Sequence, residues 1–559
     1  MKTILTTLNA KYIHTSLALR WLYVANKDRF DISFREYTIK ENLEKITTDL
    51  LDGEADILGV SVSIWNVAQS KELIAKIKAQ NPNLIIVVGG PEVSYEPEFF
   101  LKNWDIDYVI SGEGEFVLGE LIEAIQNDKA VNIQGVSSLN NISKTVVQAD
   151  LEELAMLSSP YLLAEDDEDR CNRMVYFETS RGCPYQCQYC LSSLEKGVRY
   201  FPQNYILGNL KSLINHNVKQ IKFLDRTFNL NMDHTYAIFG FLIDNYRSNL
   251  SCQFEVYADL LKDEMIQYLN NNLPKNYFRF EIGIQSTYEP TNIAVRRKQN
   301  FPLLAANVKK IMDGGRIDLH LDLIAGLPYE TLERFTKSFN DVFVFGAKEV
   351  QLGFLKMLRG TNLRKYAEKY GYIYDENPPY EIEFNADISR ADLDRIHEAE
   401  HALEKFWNSG RFCQTMKVLF DKYYDGRYFE LFDEIGQFYK TRNYPHRGYQ
   451  LEDLFRYLEE FLKSKNIDLF HTLKADYYSN FTRRPQGFWA ERLDKKKRKQ
   501  LLYQIGQDKA FLKRYNLNRK IVEKQAAIDP LSNNSYELTI FLDNNRLILP
   551  YTIDENIKS

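Results

Sequence analysis

Three cysteines fall within eight residues, Cys183, Cys187 and Cys190, in the spacing C-x3-C-x2-C. They follow a β-type run, Met174–Thr179, through Ser180-Arg181-Gly182. Thiolates gathered on a loop that leaves a strand suit an iron–sulfur cluster. Three protein ligands leave one iron open, and an open iron can bind a small molecule and pass it an electron. A structural zinc site takes four ligands, and the nearest further cysteine, Cys171, lies well upstream. Such crowding is also poor spacing for a disulfide framework. Gly182 tolerates the positive φ of a tight turn into the loop. Tyr189, just before the third cysteine, is placed to pack over a flat base.

A second set of candidate residues stands at strand ends in the first 145 positions. It comprises Ser61-Val-Ser-Ile-Trp65-Asn66, Gly89-Gly90-Pro91 and Ser111-Gly112-Glu113-Gly114-Glu115. All three turns belong to one edge of a Rossmann-like sheet, where small residues let a large flat ligand come close. The G-x-G-x-x-G fingerprint of a dinucleotide is absent.

The elements that must position these residues follow from periodicity. Over 1–145, strands at Met1–Leu8, Ile32–Tyr37, Ile57–Ser63, Leu84–Val88 and Tyr108–Ser111 alternate with helices at Ala10–Val24, Ser70–Lys78 and Glu115–Ile125. That alternation predicts a parallel, doubly wound sheet. Residues 146–173 read as an acidic linker. Over 174–375, strands at Met174–Thr179, Gln220–Leu224, Gln253–Tyr257, Tyr277–Ile284, Asp318–Ile324 and Glu349–Leu355 alternate with helical stretches. Six such units suit a partial (β/α)6 TIM-type barrel, with chemistry at the carboxyl ends of its strands. Residues 380–559 are aromatic-rich and mostly helical, with helices over Arg390–Trp407, 451–464 and 497–515 and a closing hairpin over 535–553. Ser389 and Asp392 form a cap at the first of these. The fold class is α/β with a helical C-terminal domain.

Composition narrows the function. The 559 residues carry a formal net charge of -6, so no overall basic field points to nucleic acid. No apolar run approaches the ~20 residues of a membrane helix, and the first residues lack a signal-peptide core. The expectation is a soluble, cytoplasmic protein without a membrane or nucleic-acid partner. The basic run 494–499 reads as a solvated helix face rather than an RNA contact.

The thiol motif, its place after the first strand of a six-unit barrel, and Tyr189 together resemble the radical S-adenosylmethionine (SAM) superfamily over about 174–375. The resemblance implies that Cys183, Cys187 and Cys190 ligate a [4Fe–4S] cluster whose fourth iron takes the amino and carboxylate groups of SAM. Reductive cleavage would give methionine and a 5′-deoxyadenosyl radical, with an electron donor such as flavodoxin or ferredoxin. It places Asp225, after the second strand, at the SAM amino group or substrate. Glu281, Gln285 and Ser286 fall at the strand that meets the ribose and methionine parts, and Gly326 in the turn beside adenine. Arg359 stands where many relatives have proline.

The first 145 residues resemble the cobalamin-binding domain that precedes many such barrels. That resemblance gathers Ser61, Trp65, Gly89, Gly90, Gly112 and Glu113 around cobalamin, and Asn9–Ser16, with His14, resembles the first loop of that branch. The D-x-H-x-x-G motif that supplies an axial histidine is missing, and His14 is the only histidine before residue 216. A cobalt without a protein histidine on its lower face is expected, with Trp65 or Asn66 packed nearby. The last third is similar to an uncharacterised domain and brings no substrate with it. It reads as an aromatic cap over the barrel, with Arg483 and Arg484 as candidate pocket residues and Cys413 as a buried, inert thiol. The function implied is methyl transfer to an unactivated carbon or phosphorus of an unknown small molecule or peptide. Two other readings keep the cobalamin: a radical rearrangement or cyclisation without methylation, and a sensory protein.

Overall fold

The structure is a computed structural model that describes residues 1–195, 197–481, 493–532, 534–542 and 545–552. Residues 1–396 and 397–559 form two compact units. Among the described residues, no helix is long and apolar enough to cross a membrane.

The first unit opens with six strands: β1 (Lys2–Asn9), β2 (Asp31–Thr38), β3 (Ile57–Ser61), β4 (Ile85–Gly89), β5 (Tyr108–Ile110) and β6 (Val136–Ser137). They lie in the order β2-β1-β3-β4-β5-β6, parallel except for β6, which the sequence reading lacks. Successive strand side chains point to opposite faces. Ile4, Leu8, Leu58, Ile86 and Val88 therefore enter one core, and Leu5, Ile57 and Val87 enter the other. The apolar runs are continuous because helices cover both faces. Strand order reverses between β1 and β3, which opens a crevice beyond their carboxyl ends.

The expected helix Ala10–Val24 begins only at Leu17. Ser16 caps it, accepting from the Leu19 N–H at 3.4 Å. Residues before the cap are held in a loop, because the Asn9 side chain donates to the His14 carbonyl at 3.1 Å and the Ser16 N–H donates to Glu36 at 2.5 Å. The acidic stretch 146–173 is built into the unit. Val147 bridges Gly112, Leu151–Ala155 is a helix capped by Asp150, and Asp166 pairs with Arg20 at 2.6 Å.

The barrel region contains β7 (Val175–Phe177), β8 (Ser180–Gly182), β9 (Val198–Tyr200), β10 (Gln220–Phe223), β11 (Ser251–Glu255), β12 (Phe278–Gln285), β13 (Asp318–Ala325) and β14 (Glu349–Phe354). Six of these form a parallel sheet, β7-β10-β11-β12-β13-β14, with β7 and β14 as its two edges. The barrel is thus open. β8 and β9 pair separately, antiparallel. Along β12 burial alternates: Phe278, Phe280, Ile282 and Ile284 are buried, while Arg279, Glu281, Gly283 and Gln285 are half-buried. The half-buried face is polar, with Lys222 paired to Glu281 at 3.1 Å and Arg279 to Glu349 at 2.5 Å.

In the second unit, helices Leu451–Ser464, Lys495–Gln507 and Lys509–Arg514 are the expected amphipathic ones, the last two divided at Asp508, which caps Phe511. Helix Arg390–Leu403 runs into a π-helical turn over Glu404–Asn408. The closing hairpin, Ser535–Leu542 and Asn545–Thr552, gains a third antiparallel strand, Ala526–Ser532. Lys495, Lys496, Lys497 and Lys499 lie exposed on their helix. Arg483 and Arg484 fall outside the described residues. Cys413 is exposed rather than buried, its thiol donating to the Gly410 carbonyl at 3.1 Å.

Phe254 carries the outer face of the barrel. It is fully buried, with the rings of Phe223, Phe228, Phe239, Phe278 and Phe280 at centroid distances of 4.4, 4.6, 5.0, 5.0 and 6.1 Å. Phe254→Ala should cost about 3–5 kcal/mol, seen as an earlier urea midpoint for the unfolding of the first unit.

Candidate active site: a three-thiol loop beside a glycine-walled cavity

The loop from Cys183 to Cys190 leaves β8 and is pinned by backbone hydrogen bonds on both sides. The Gln188 N–H donates to Val295 at 2.9 Å, the Leu363 N–H donates to Gln188 at 2.9 Å, and the Cys190 N–H donates to Cys187 at 3.1 Å. Gly182 enters the loop at φ +94, where a side chain would strike the Gly197 backbone. All three thiols are free. Burial raises the Cys183 and Cys187 thiols, against a backbone N–H at Tyr185 for the first and the Arg297 guanidinium for the second. Metal binding would displace those protons.

Among the described residues, no three His, Cys, Asp or Glu side chains converge closely enough to hold one metal ion.

Aromatic rings bracket the loop. Tyr185 stacks on Tyr257 at 4.3 Å, and the Tyr189 hydroxyl accepts from Arg297 at 3.2 Å. Asp225 is buried and spends both oxygens locally: Oδ1 accepts from the Thr179 and Ser180 hydroxyls at 2.5 Å each, and Oδ2 from the Thr179 N–H at 3.1 Å. Burial pushes its pKa up to about 6, with the Ser180 and Thr179 hydrogen bonds opposing. Asp225 thus ties the end of the second barrel strand to the segment that leads into the thiol loop.

Glu281 faces the barrel interior on Lys222 and Gln253. Gln285, at φ +68 beside a register shift in β12, keeps a buried Oε1 without a partner. The Ser286 hydroxyl donates to Glu330 at 2.7 Å. Gly326, at φ +89, sets its carbonyl to accept from Tyr372 and Asn385 at 2.9 Å each. Sequence reasoning did not single out Glu255, which burial pushes up to about 7 on the polar barrel face.

A cavity of about 750 Å3 adjoins the loop. Ser61, Gly89, Gly90, Gly112 and Glu113 line it from the first sheet, and Leu191 and Ser192, directly after Cys190, line it from the thiol loop. Gly90 sits at φ +107, and a side chain there would come within 2.5 Å of the Val62 carbonyl. Gly112, at φ +98, is closed in by Val147 in the same way. Each turn lines the cavity and requires glycine, because a side chain there would strike neighbouring backbone. Among the described residues, no histidine lines the cavity.

The expected places of three residues change. His14 bonds Tyr176 through Nδ1 at 2.7 Å and does not line the cavity. Trp65 is 52% exposed and does not line it either. Asn66 is buried and consumed by its own loop, accepting from Ser63 at 2.8 Å and donating to Leu8 at 3.1 Å. The cavity instead recruits Tyr95, Arg181, Glu195 and Arg226, whose roles depend on long-range contacts that local patterns do not carry.

Known proteins were compared with the chain. A B12 binding domain model matches residues 4–122, a radical SAM superfamily model matches 177–342, and a model described as a protein of unknown function (DUF4080) matches 368–546. The cobalamin-dependent radical SAM methyltransferase TokK of Streptomyces tokunonensis is 26% identical over 377 residues, covering 60% of this chain and 54% of that one. An uncharacterized methyltransferase of Pyrococcus horikoshii is 31% identical over 193 residues, covering 32% of this chain and 41% of that one. The chain thus spans about half the length of these curated relatives. The cobalamin-dependent S-adenosylmethionine radical enzyme OxsB, solved with aqua-cobalamin bound, shares the fold with a TM-score of 0.61 at 16% identity, over 86% of this chain and 81% of that one.

Glu330 offers a test of the barrel's electrostatics. It is fully buried, and burial pushes its pKa up to about 7 against hydrogen bonds from Ser286 and Ser338. A raised carboxyl pKa means stability that is present below the ordinary value and lost as pH climbs through 7. Glu330→Gln stays neutral, so between pH 5 and 8 it should gain on wild type by about 2–3 kcal/mol, measured by urea unfolding at both pH values.

Proposed function

We propose that this chain, a radical SAM protein with an N-terminal B12-binding domain, is a methyltransferase that acts on an unactivated carbon or phosphorus of a small molecule or peptide. One observation carries the reading: the residues that follow Cys190 form a wall of the glycine-lined cavity, so a cluster on the three thiols and a corrinoid in the cavity would be neighbours. Similarity to a cobalamin-dependent radical SAM methyltransferase supports the choice of methyl transfer.

When bound, the cluster and SAM supply a carbon-centred radical, and the corrinoid supplies a methyl carrier. The chain's own residues do the rest. Cys183, Cys187 and Cys190 would hold the cluster, which would supply the electron for SAM cleavage. Ser61, Gly89, Gly90, Gly112 and Glu113, which line the cavity, would hold the corrinoid, a carrier for the methyl group. Tyr189, Gln285, Ser286 and Gly326 line the turns where SAM is expected. Glu281 sits deeper, held by Lys222. A low-potential electron donor of the flavodoxin or ferredoxin kind completes the system.

The decisive assay uses protein reconstituted anaerobically with iron, sulfide and cobalamin, then given SAM and a strong reductant. Wild type should form 5′-deoxyadenosine and S-adenosylhomocysteine, the second only with cobalamin. Replacing any of the three cysteines with alanine should drop deoxyadenosine to background. Deoxyadenosine alone would replace methyl transfer by a rearrangement or cyclisation. Neither product, with cobalamin retained, would favour a sensor. Gly90→Ala should lose cobalamin on gel filtration, followed by absorbance, because a methyl group there meets backbone and the φ of +107 strains any L-residue.

A further inference from the structure

Four arginines are buried among the described residues: Arg20, Arg170, Arg297 and Arg359. Three meet carboxylates. Arg20 pairs with Glu36 and Asp166, Arg170 with Asp167, and Arg359 with Glu92 and Glu96. Arg297, 9% exposed, does not. Its Nε donates to Gln299 at 3.1 Å, one Nη donates to the Tyr189 hydroxyl at 3.2 Å, and the other donates to the Gly283 carbonyl. Its plane lies 4.9 Å from the Tyr257 ring. Every partner is neutral. An arginine does not shed its proton, and a buried charge without a counter-charge costs several kcal/mol. The site therefore requires an anion that the folded chain alone does not provide.

The thiol loop is where that anion belongs. Cys187 is the sulfur on which Arg297 acts electrostatically. The two segments are also tied by backbone, since the Gln188 N–H donates to Val295, two residues before Arg297. We propose that Arg297 is the counter-ion of the cluster held by Cys183, Cys187 and Cys190, and that its charge sets how readily this cluster takes an electron.

The inference rests on the reading of those cysteines as cluster ligands. A [4Fe–4S] core with three thiolates is already net negative, and one electron from a low-potential donor adds a further negative charge with no bond broken. A fixed cation beside a ligand sulfur stabilises the reduced state more than the oxidised one, and so raises the potential. Tyr189, bonded to the same guanidinium, is a positioning residue in this arrangement.

The test is a redox titration of the reconstituted full chain without SAM, followed by electron paramagnetic resonance. At a fixed solution potential, Arg297→Gln should raise the ratio of oxidised to reduced cluster at least tenfold, about 59 mV for a one-electron couple. Arg297→Lys should restore most of the difference. An unchanged potential in R297Q overturns the proposal, and a fall in SAM affinity alongside it would assign the guanidinium to that ligand. If R297Q and a second neutral variant, Arg297→Met, bind no cluster while R297K does, the need for charge is supported. Loss of cluster in all three variants with the fold intact overturns it, because shape rather than charge would then be what the site needs. A wild-type chain that binds no cluster would instead defeat the underlying reading.

Discussion

Arg181 stands two residues before the first thiol and is enclosed by carboxylates. It donates to Glu113 at 2.9 Å and to Glu178 at 2.8 Å, with Glu115 also at 2.8 Å. Glu113 in turn receives Arg199 and the Ala149 N–H. Desolvation works against the Arg181 charge, and the surrounding carboxylates more than reverse it. Half-made, such a network would be strongly destabilising, because removing one partner leaves a buried charge uncompensated. Its members come from the Gly112–Glu115 turn of the first sheet and, in the barrel region, from Glu178, β8 and β9. The distance between cavity wall and thiol loop is therefore set by ion pairs rather than by a tether.

A second attachment repeats the logic on the far side of the barrel. Arg359 follows β14 and bonds Glu96 at 2.5 Å and the Tyr380 hydroxyl at 3.1 Å, while the Tyr380 hydroxyl donates to Glu92. Its guanidinium also lies 3.9 Å from the Phe99 ring. Arg359 thus joins the barrel to the segment after Gly89-Gly90-Pro91. Gly360 completes the contact, since a side chain there would collide with Tyr95.

Much of this was legible in the residues. Alternating buried strands, the C-x3-C-x2-C loop and the three small-residue turns are local patterns, and local patterns survive without a third dimension. What failed to show depended on distant partners. The bonds of Asp225 to Thr179 and Ser180, more than forty residues upstream, are one case. Trp65 sits beside the right turn, yet points to solvent. The strand over Ala526–Ser532 contains Pro530, which discourages a strand reading, and it forms because Ser535–Leu542 offers it an edge. Arg297 was invisible for a different reason: its significance is the lack of a carboxylate partner, which no sequence pattern records.

The two ion-pair attachments bear on inheritance. Glu92, Glu96, Glu113 and Glu115 belong to the cobalamin-type half, and Arg181, Arg199 and Arg359 to the barrel. Gene recombination that joined this barrel to a foreign corrinoid module would carry three arginines across without the acids they meet in the first half, with Glu178 alone left to Arg181. Such chimeras would be selected against before any question of chemistry arose, so the two halves should descend together as one lineage even though each is a fold that occurs alone.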